Sequence, residues 1–166
     1  MSSNEPEPHP AQGPGEPELV SLVPMSTAVV RGTVTFAGLR DFFDGSFKAM
    51  GAALAAQGVA VAGPAFCVYR GLPIEPLDLE IGFPTDHPMT ADGDVVPASL
   101  PGGRAARLVH YGAFDALGAS WERLGAWMAG QGLAGGELRW ETYVTQPAPD
   151  MDPRDLRTEL TWLIAA

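Results

Sequence analysis

Residues 112–132 read GAFDALGASWERLGAWMAGQG, and residues 38–58 read GLRDFFDGSFKAMGAALAAQG. In both stretches large apolar residues recur at steps of four, three and four, which places them on one face of a helix. They are Phe43, Phe47, Met50 and Leu54 in one stretch, and Leu117, Trp121, Leu124 and Met128 in the other. A shift of 74 residues makes ten of the 33 positions in 38–70 identical to their counterparts in 112–144. We therefore predict an internal duplication.

The ends of the two predicted helices also match. Asp41 and Asp115 lie near the first turns, where a carboxylate complements the helix dipole. Gly58 and Gly132 follow the last turns, where glycine commonly ends a helix. The helices are therefore predicted over about 39–57 and 113–131.

Strands are predicted around each helix from runs of β-branched and aromatic residues. The chain enters through 19–36, with a break near Pro24, and the turn stretches RGLPIEP and QPAPDMDP each join two later strands. The predicted strands are 29–36, 65–69 and 77–83 in the first half, and 104–111, 138–145 and 156–164 in the second. This pattern predicts an α+β fold of two β-α-β-β units, with a mostly antiparallel sheet, both helices on one face and a ligand groove at the pseudo-two-fold axis.

Length and composition limit the class of protein. The 166 residues suit one domain, and no run of about 18 apolar residues could cross a membrane. Residues 1–18 are rich in Pro, Gly and Glu, so we expect a disordered tail before a domain at 19–166. The net charge of −10 disfavours nucleic acid as a partner. One cysteine and no secretion signal favour a cytoplasmic protein, and we expect a monomer.

Several kinds of chemistry have no sequence support. His9, His87 and His110 are too scattered for a metal site, and no glycine-rich phosphate loop is present. Cys67 lies mid-strand between apolar residues, so we expect a buried, unreactive thiol. We therefore expect neither a metal nor a cofactor.

The stretch 139–145, RWETYVT, carries the main candidate site residues. In a strand, Glu141 and Tyr143 share one face. Under the repeat Tyr143 corresponds to Tyr69, but Glu141 corresponds to Cys67, so only one half has the acid. This asymmetry points to a functional carboxylate, although the spacing also fits an ordinary glutamate on a solvated sheet face.

Three further aromatic residues are candidates for a pocket. Tyr111 ends the strand before the second helix and offers an apolar ring with a polar tip. Phe43 and Trp162 lie on apolar stripes, a position more typical of a packed core than of a pocket. Glu80 alternates with leucines, which places it on the outer face of a strand.

Five ordered segments carry a family resemblance: GPAFCVYRG, LDLEIGFP, the stretch LPGGRAARLVHYGAFDALGASWERLGAWMAGQGL, WETYVTQPAPDMDP and TELTWLI. Over 19–164 the chain resembles the GyrI-like small-molecule-binding domain, which includes the effector domain of multidrug-sensing bacterial regulators. The resemblance implies the doubled fold and an aromatic pocket around a buried glutamate that matches Glu141, with Tyr143 and Tyr111 nearby and Tyr69, Phe43 and Trp162 as further ligand-binding candidates. Those regulators carry a DNA-reading region ahead of this domain, so we expect a stand-alone form.

The resemblance leaves three functions open. In the first, the chain binds apolar, often cationic aromatic molecules and so contributes to drug resistance. In the second, it is an enzyme that opens cyclopropane rings of DNA-alkylating natural products, with Glu141 orienting or deprotonating water and Tyr111 or Tyr143 donating to the developing oxyanion. In the third, it is an interaction protein that inhibits gyrase. Whether the chain is an enzyme stays undecided at this point.

Overall fold

The computed structural model describes residues 15–71, 74–145 and 150–165. These residues form eight strands, two α-helices and two short 3-10 helices, at Phe114–Ala116 and Pro153–Asp155. In chain order the main elements are β1 (Glu18–Leu22), β2 (Met25–Val34), α1 (Leu39–Gln57), β3 (Phe66–Arg70), β4 (Leu77–Pro84), β5 (Val96–Leu100), β6 (Gly103–Tyr111), α2 (Leu117–Gly130), β7 (Gly135–Tyr143) and β8 (Arg157–Ile164). No helix in these ranges is long and apolar enough to span a membrane.

All eight strands belong to one antiparallel sheet in the order β1-β6-β8-β7-β3-β4-β2-β5, which curls into a half-barrel. The central pair is β3 and β7, one strand from each half of the chain. On either side the halves repeat the same order, β3-β4-β2 and β7-β8-β6. The predicted duplication and α+β class are therefore confirmed.

Each of the two units contains one strand more than the three that were predicted for it. Residues 96–100 form β5, which the sequence did not indicate, and 18–22 form β1. The two extra strands are exchanged: β1 precedes β2 but pairs with β6, whereas β5 precedes β6 but pairs with β2. The break at Pro24 is where the chain passes from one half of the sheet to the other.

Both helices pack on the same face of the sheet. Met50 and Leu54 of α1 are buried in a cluster with β2, β3 and β4, and Leu124 and Met128 of α2 are buried against β6 and β8. After each helix a glycine takes positive φ, 66° at Gly58 and 74° at Gly132. Only glycine adopts this backbone freely, which explains the matched stop signals.

The opposite face of the curled sheet has its own core of Val29, Phe66, Val68 and Trp140. Glu80 lies on this face, as predicted from its alternation. It is nevertheless buried, because Arg31 and Arg70 both bond its carboxylate, at 2.8 and 3.0 Å. Glu80 therefore has its charge partners within the chain.

The predicted tail, residues 1–18, lies mostly outside the described residues. Its last four residues are described: the Gly15 amide donates to the Val109 carbonyl at 2.9 Å, and Glu18 begins β1. Parts of the predicted turns, residues 72–73 and 146–149, are also outside the described ranges.

Candidate functional site

An open cleft of about 1100 Å³ lies over the centre of the sheet, on the face that carries both helices. Its floor contains Glu141 and Tyr143 of β7, Tyr69 of β3 and Phe83 of β4. The first turns of α1 and residues around the start of α2 form its walls. The groove predicted between the helices is therefore present in the structure.

Glu141 is the buried acid at the floor of this cleft, with 5% of its surface exposed. Three neutral donors hold its carboxylate. The Tyr143 hydroxyl donates to Oε1 at 2.9 Å, the Tyr69 hydroxyl donates to the same atom at 3.3 Å, and the Trp121 indole N–H donates to Oε2 at 3.0 Å. Both oxygens are thus oriented before any ligand arrives.

The surroundings of Glu141 favour its neutral form. Burial raises the pKa of the carboxyl, and the three hydrogen bonds and the nearby His110 only partly oppose this. Burial, reinforced by the nearby Glu141 charge, also raises the pKa of Tyr143 well above its ordinary value. For Tyr69, burial likewise raises the hydroxyl pKa. Both tyrosines therefore remain protonated donors near neutral pH.

Aromatic rings form much of the cleft wall. Phe43 lies 5.9 Å from Phe47 and 6.3 Å from Tyr143, and Phe114 meets Tyr143 edge-on at 6.0 Å, all between ring centroids. Phe47 in turn lies 5.3 Å from Phe83. These spacings are typical of favourable edge and tilted contacts. The rings present flat apolar surface to anything that enters.

Four of the six predicted site residues meet in this cleft: Glu141, Tyr143, Tyr69 and Phe43. Tyr111 does not line it. In the strand register Tyr111 pairs with Arg157, so its side chain lies on the face opposite Glu141, and the Arg157 guanidinium covers its ring at 4.2 Å. His110, one residue earlier, lies on the Glu141 face.

Trp162 is on the Glu141 face but also outside the cleft lining. The Arg139 guanidinium lies 3.9 Å from its ring centroid, and the indole N–H donates to the Gly136 carbonyl at 3.0 Å. The ring is therefore covered by Arg139 and is not presented to the cavity.

Trp121 is a site residue that the sequence pattern did not indicate. It sits on the apolar stripe of α2, and its position there predicts core packing, which it also provides. Only the docking of α2 brings its N–H to Glu141. Phe36, 56% exposed, and Phe114, 41% exposed, also line the cleft. Neither belongs to a periodic pattern of apolar residues, because each lies just before a helix. Large exposed aromatics beside a predicted groove could have identified them.

The metal-ligating and nucleophilic side chains of the described residues limit the kinds of reaction that the site could support. Within residues 15–71, 74–145 and 150–165, no three His, Cys, Asp or Glu side chains are grouped so as to hold a metal ion. The Cys67 thiol is buried, and burial raises its pKa, so it stays protonated. The site thus offers the buried Glu141 carboxylate, two phenol hydroxyls and an aromatic wall, and Arg40 and Asp44 are the other charged residues of its lining.

Solved structures with this architecture are numerous. The EcmrR C-terminal domain superposes with a TM-score of 0.81 at 16% identity, covering 91% of this chain and 98% of that one. SAV2435, solved bound to tetraphenylphosphonium, gives 0.60 at 14% identity, with 91% and 94% covered. A hydrolase encoded by lin2189 from Listeria innocua gives 0.65 at 13% identity, with 93% and 94% covered. At these identities the likeness shows the fold alone.

Sequence comparison identifies the family. No curated protein matches the chain significantly. The family model for the GyrI-like small molecule binding domain matches residues 15–165, which is nearly the whole chain. With its doubled sheet and central cleft, this chain belongs to the GyrI-like small-molecule-binding family.

Proposed function

We propose that the chain binds apolar aromatic cations in the cleft, with Glu141 as the counter-charge. One observation carries the proposal: Glu141 is a buried carboxylate whose hydrogen-bond donors are all neutral. Its partners are two phenols and an indole, and no described Lys, Arg or His forms an ion pair with it. Burying a carboxylate without a cation is costly, so a cationic ligand gains what the free protein lacks.

The contrast with Glu80 supports this interpretation. That carboxylate is equally buried, at 5% exposed, but it has two arginines within 3.0 Å. Glu141 has an open cavity where such a cation would lie. The fold therefore pairs one buried acid internally and leaves the other available to a ligand.

The aromatic wall would supply the rest of the affinity. A cation near an aromatic face gains about 0.5–2 kcal/mol, depending on its desolvation. Rings constrain shape less than hydrogen bonds do, so selectivity would be broad. The tetraphenylphosphonium bound to SAV2435 is an apolar aromatic cation of this kind.

The test is a calorimetric titration with tetraphenylphosphonium and with triphenylphosphine oxide, a neutral aromatic probe. We expect the cation to bind with a Kd on the order of micromolar, about −8 kcal/mol. Glu141→Gln should weaken cation binding about tenfold or more, equivalent to about 1.4 kcal/mol, and leave the neutral probe unchanged. Glu137→Gln, at an exposed acid on the same strand, is the matched control. Equal cation affinity in both variants and the unaltered chain would overturn the proposal.

A hydrolase is the second candidate, and the pair formed by Glu141 and the Tyr143 hydroxyl favours it. A carboxyl with a raised pKa is a suitable general base nearer neutral pH, and protonated phenols can donate to a developing oxyanion. Of the two predicted donors, Tyr111 lies on the other face of the sheet, so Tyr143, with Tyr69 beside it, would donate to the oxyanion. Two Listeria innocua neighbours with this fold are described as hydrolases.

This alternative is tested with an electrophilic cyclopropane compound, followed by mass spectrometry. A hydrolase would add one water to the compound, breaking a ring carbon–carbon bond and placing the hydroxyl and the proton on the product. Glu141→Gln should then retain binding and lose turnover. Product formation equal to that of buffer alone would exclude this function for the compound used.

A further inference from the structure

The two halves of the fold carry different side chains at one pair of equivalent positions beside the central axis. Cys67 and Glu141 pair directly across β3 and β7, so the pseudo-two-fold axis passes between them. Ala65 and Arg139 each lie two residues before this pair, and the same 74-residue shift relates them. The first half therefore has a methyl group where the second has a guanidinium.

Each of these positions is framed by an equivalent pair of aromatic rings. Phe47 of α1 and Phe83 of β4 frame the space over Ala65, with ring centroids 5.3 Å apart. In the second half Trp121 of α2 and Trp162 of β8 are 6.0 Å apart. The shift relates Phe47 to Trp121, and Phe83 and Trp162 occupy matching places on their strands. The frame is thus duplicated along with the fold.

The space between the two rings is open in the first half and filled by a side chain in the second. Over Ala65 the space belongs to the open cleft of about 1100 Å³. In the second half the Arg139 guanidinium lies 3.9 Å from the Trp162 ring centroid and 5.3 Å from that of Trp121. A separate cavity of about 170 Å³ is lined by Arg139 together with Trp121, Glu141 and Tyr69, and Trp162 is not part of its lining. Arg139 is 8% exposed, so its cation is held inside the protein.

We propose that the space between Trp121 and Trp162 is a second cation-binding chamber, and that the Arg139 guanidinium occupies it. The protein is therefore limited to one external ligand. The inference rests on the proposed function in one respect, namely that the open chamber over Ala65 is the one that takes the external cation. It also narrows the ligand class. The group that fits the duplicated frame is planar and delocalised, so guanidinium and amidinium compounds with an aromatic substituent are the ligands to test first.

The surroundings of Arg139 are those of a ligand more than those of a structural ion pair. No described carboxylate forms a salt bridge with it, and its buried Nε has no hydrogen-bond partner among the described residues. Stacking on indole rings is the interaction that holds it. Arg157 provides a comparison, since its guanidinium stacks on Tyr111 at 4.2 Å but on the opposite face of the sheet.

The experiment measures how many phenylguanidinium ions bind per chain, by calorimetry. We expect one for the unaltered chain, two for Arg139→Ala, and one for the control Arg157→Ala. Phenylguanidinium should also raise the Tm of Arg139→Ala more than that of the unaltered chain, because it refills the emptied frame. If the alanine variant does not fold, Arg139→Gln, which retains part of the side-chain volume, takes its place in both measurements.

The outcomes separate this inference from the proposed function. One ion bound by both the unaltered chain and the Arg139 variant supports the proposed function and overturns the second chamber. No ion bound by the unaltered chain and one bound by the variant overturns the proposed function and supports the second chamber. Two ions in the Arg157→Ala control would show that the extra site does not depend on Arg139, which also overturns the inference.

Discussion

Cys67 and Glu141 face each other directly across the two central strands, one from each half of the duplicated fold. Both side chains are buried on the face that carries the helices. Burial raises the pKa of the Cys67 thiol, and the negative charge of Glu141 raises it further. The thiol therefore stays protonated, and Glu141 is the acid of this pair whose ionisation can control cation binding. The pH dependence of ligand binding should report on it.

Cation affinity should rise with pH. The ordinary pKa of a glutamate is 4.5, and burial raises that of Glu141. Only the ionised carboxylate attracts a cation, so tetraphenylphosphonium affinity should climb about tenfold per pH unit below the raised pKa and level off above it. Titrations from about pH 4 to pH 8 measure this, and Glu141→Gln should flatten the profile. A flat profile in the unaltered chain would contradict the assignment.

The stability of the free protein should follow the opposite trend. The unfolded state ionises Glu141 at its ordinary pKa, whereas the folded state holds the proton to higher pH. The stabilising contribution is complete below the ordinary pKa and is lost as pH rises through the raised one. Glu141→Gln should therefore gain stability relative to the unaltered chain across this window, by about 1.4 kcal/mol for every tenfold difference in proton affinity between the folded and unfolded states. Urea unfolding at several pH values measures the difference, and Glu137→Gln should show none.

Removing the indole donor should affect the site and the fold together. In Trp121→Phe a smaller aromatic ring remains, but Glu141 Oε2 loses its 3.0 Å hydrogen bond. An unsatisfied buried acceptor costs about 1–3 kcal/mol, and loss of a donor that lowers the pKa of Glu141 should shift the pH profile of cation binding upward. Trp127→Phe, on the same helix, is the control. Identical pH midpoints in the two variants would argue against the role of Trp121.

Filling the open chamber should block binding without unfolding the protein. Ala65→Arg places in the first half the residue that Arg139 supplies in the second, between Phe47 and Phe83. We expect tetraphenylphosphonium affinity to fall at least about tenfold, or about 1.4 kcal/mol. Ala60→Arg, at an exposed position, should bind normally. Unchanged affinity in Ala65→Arg would place the ligand elsewhere.

The sequence was informative wherever a short-range pattern determines the outcome. Period-2 alternation put Glu141 and Tyr143 on one face, and the repeat added Tyr69. The same alternation could not determine on which face of the sheet the Tyr111 side chain lies. In β6 Ala105 and Ala106 are both fully buried, because the curled sheet has a core on each side. A strand buried on both faces does not show which of His110 and Tyr111 lies on the face that carries the cleft.

By itself the sequence determined the duplication, the helix faces, the glycine stops and the asymmetric acid, because each depends on residues within a few positions of one another or on a fixed shift between copies. Only the tertiary structure decided the exchange of β1 and β5, the hydrogen bond from Trp121 to Glu141, and the stacking of Arg139 on Trp162. These join elements far apart in the chain, and they follow from strand register and helix docking, which are set by the packing of the whole sheet.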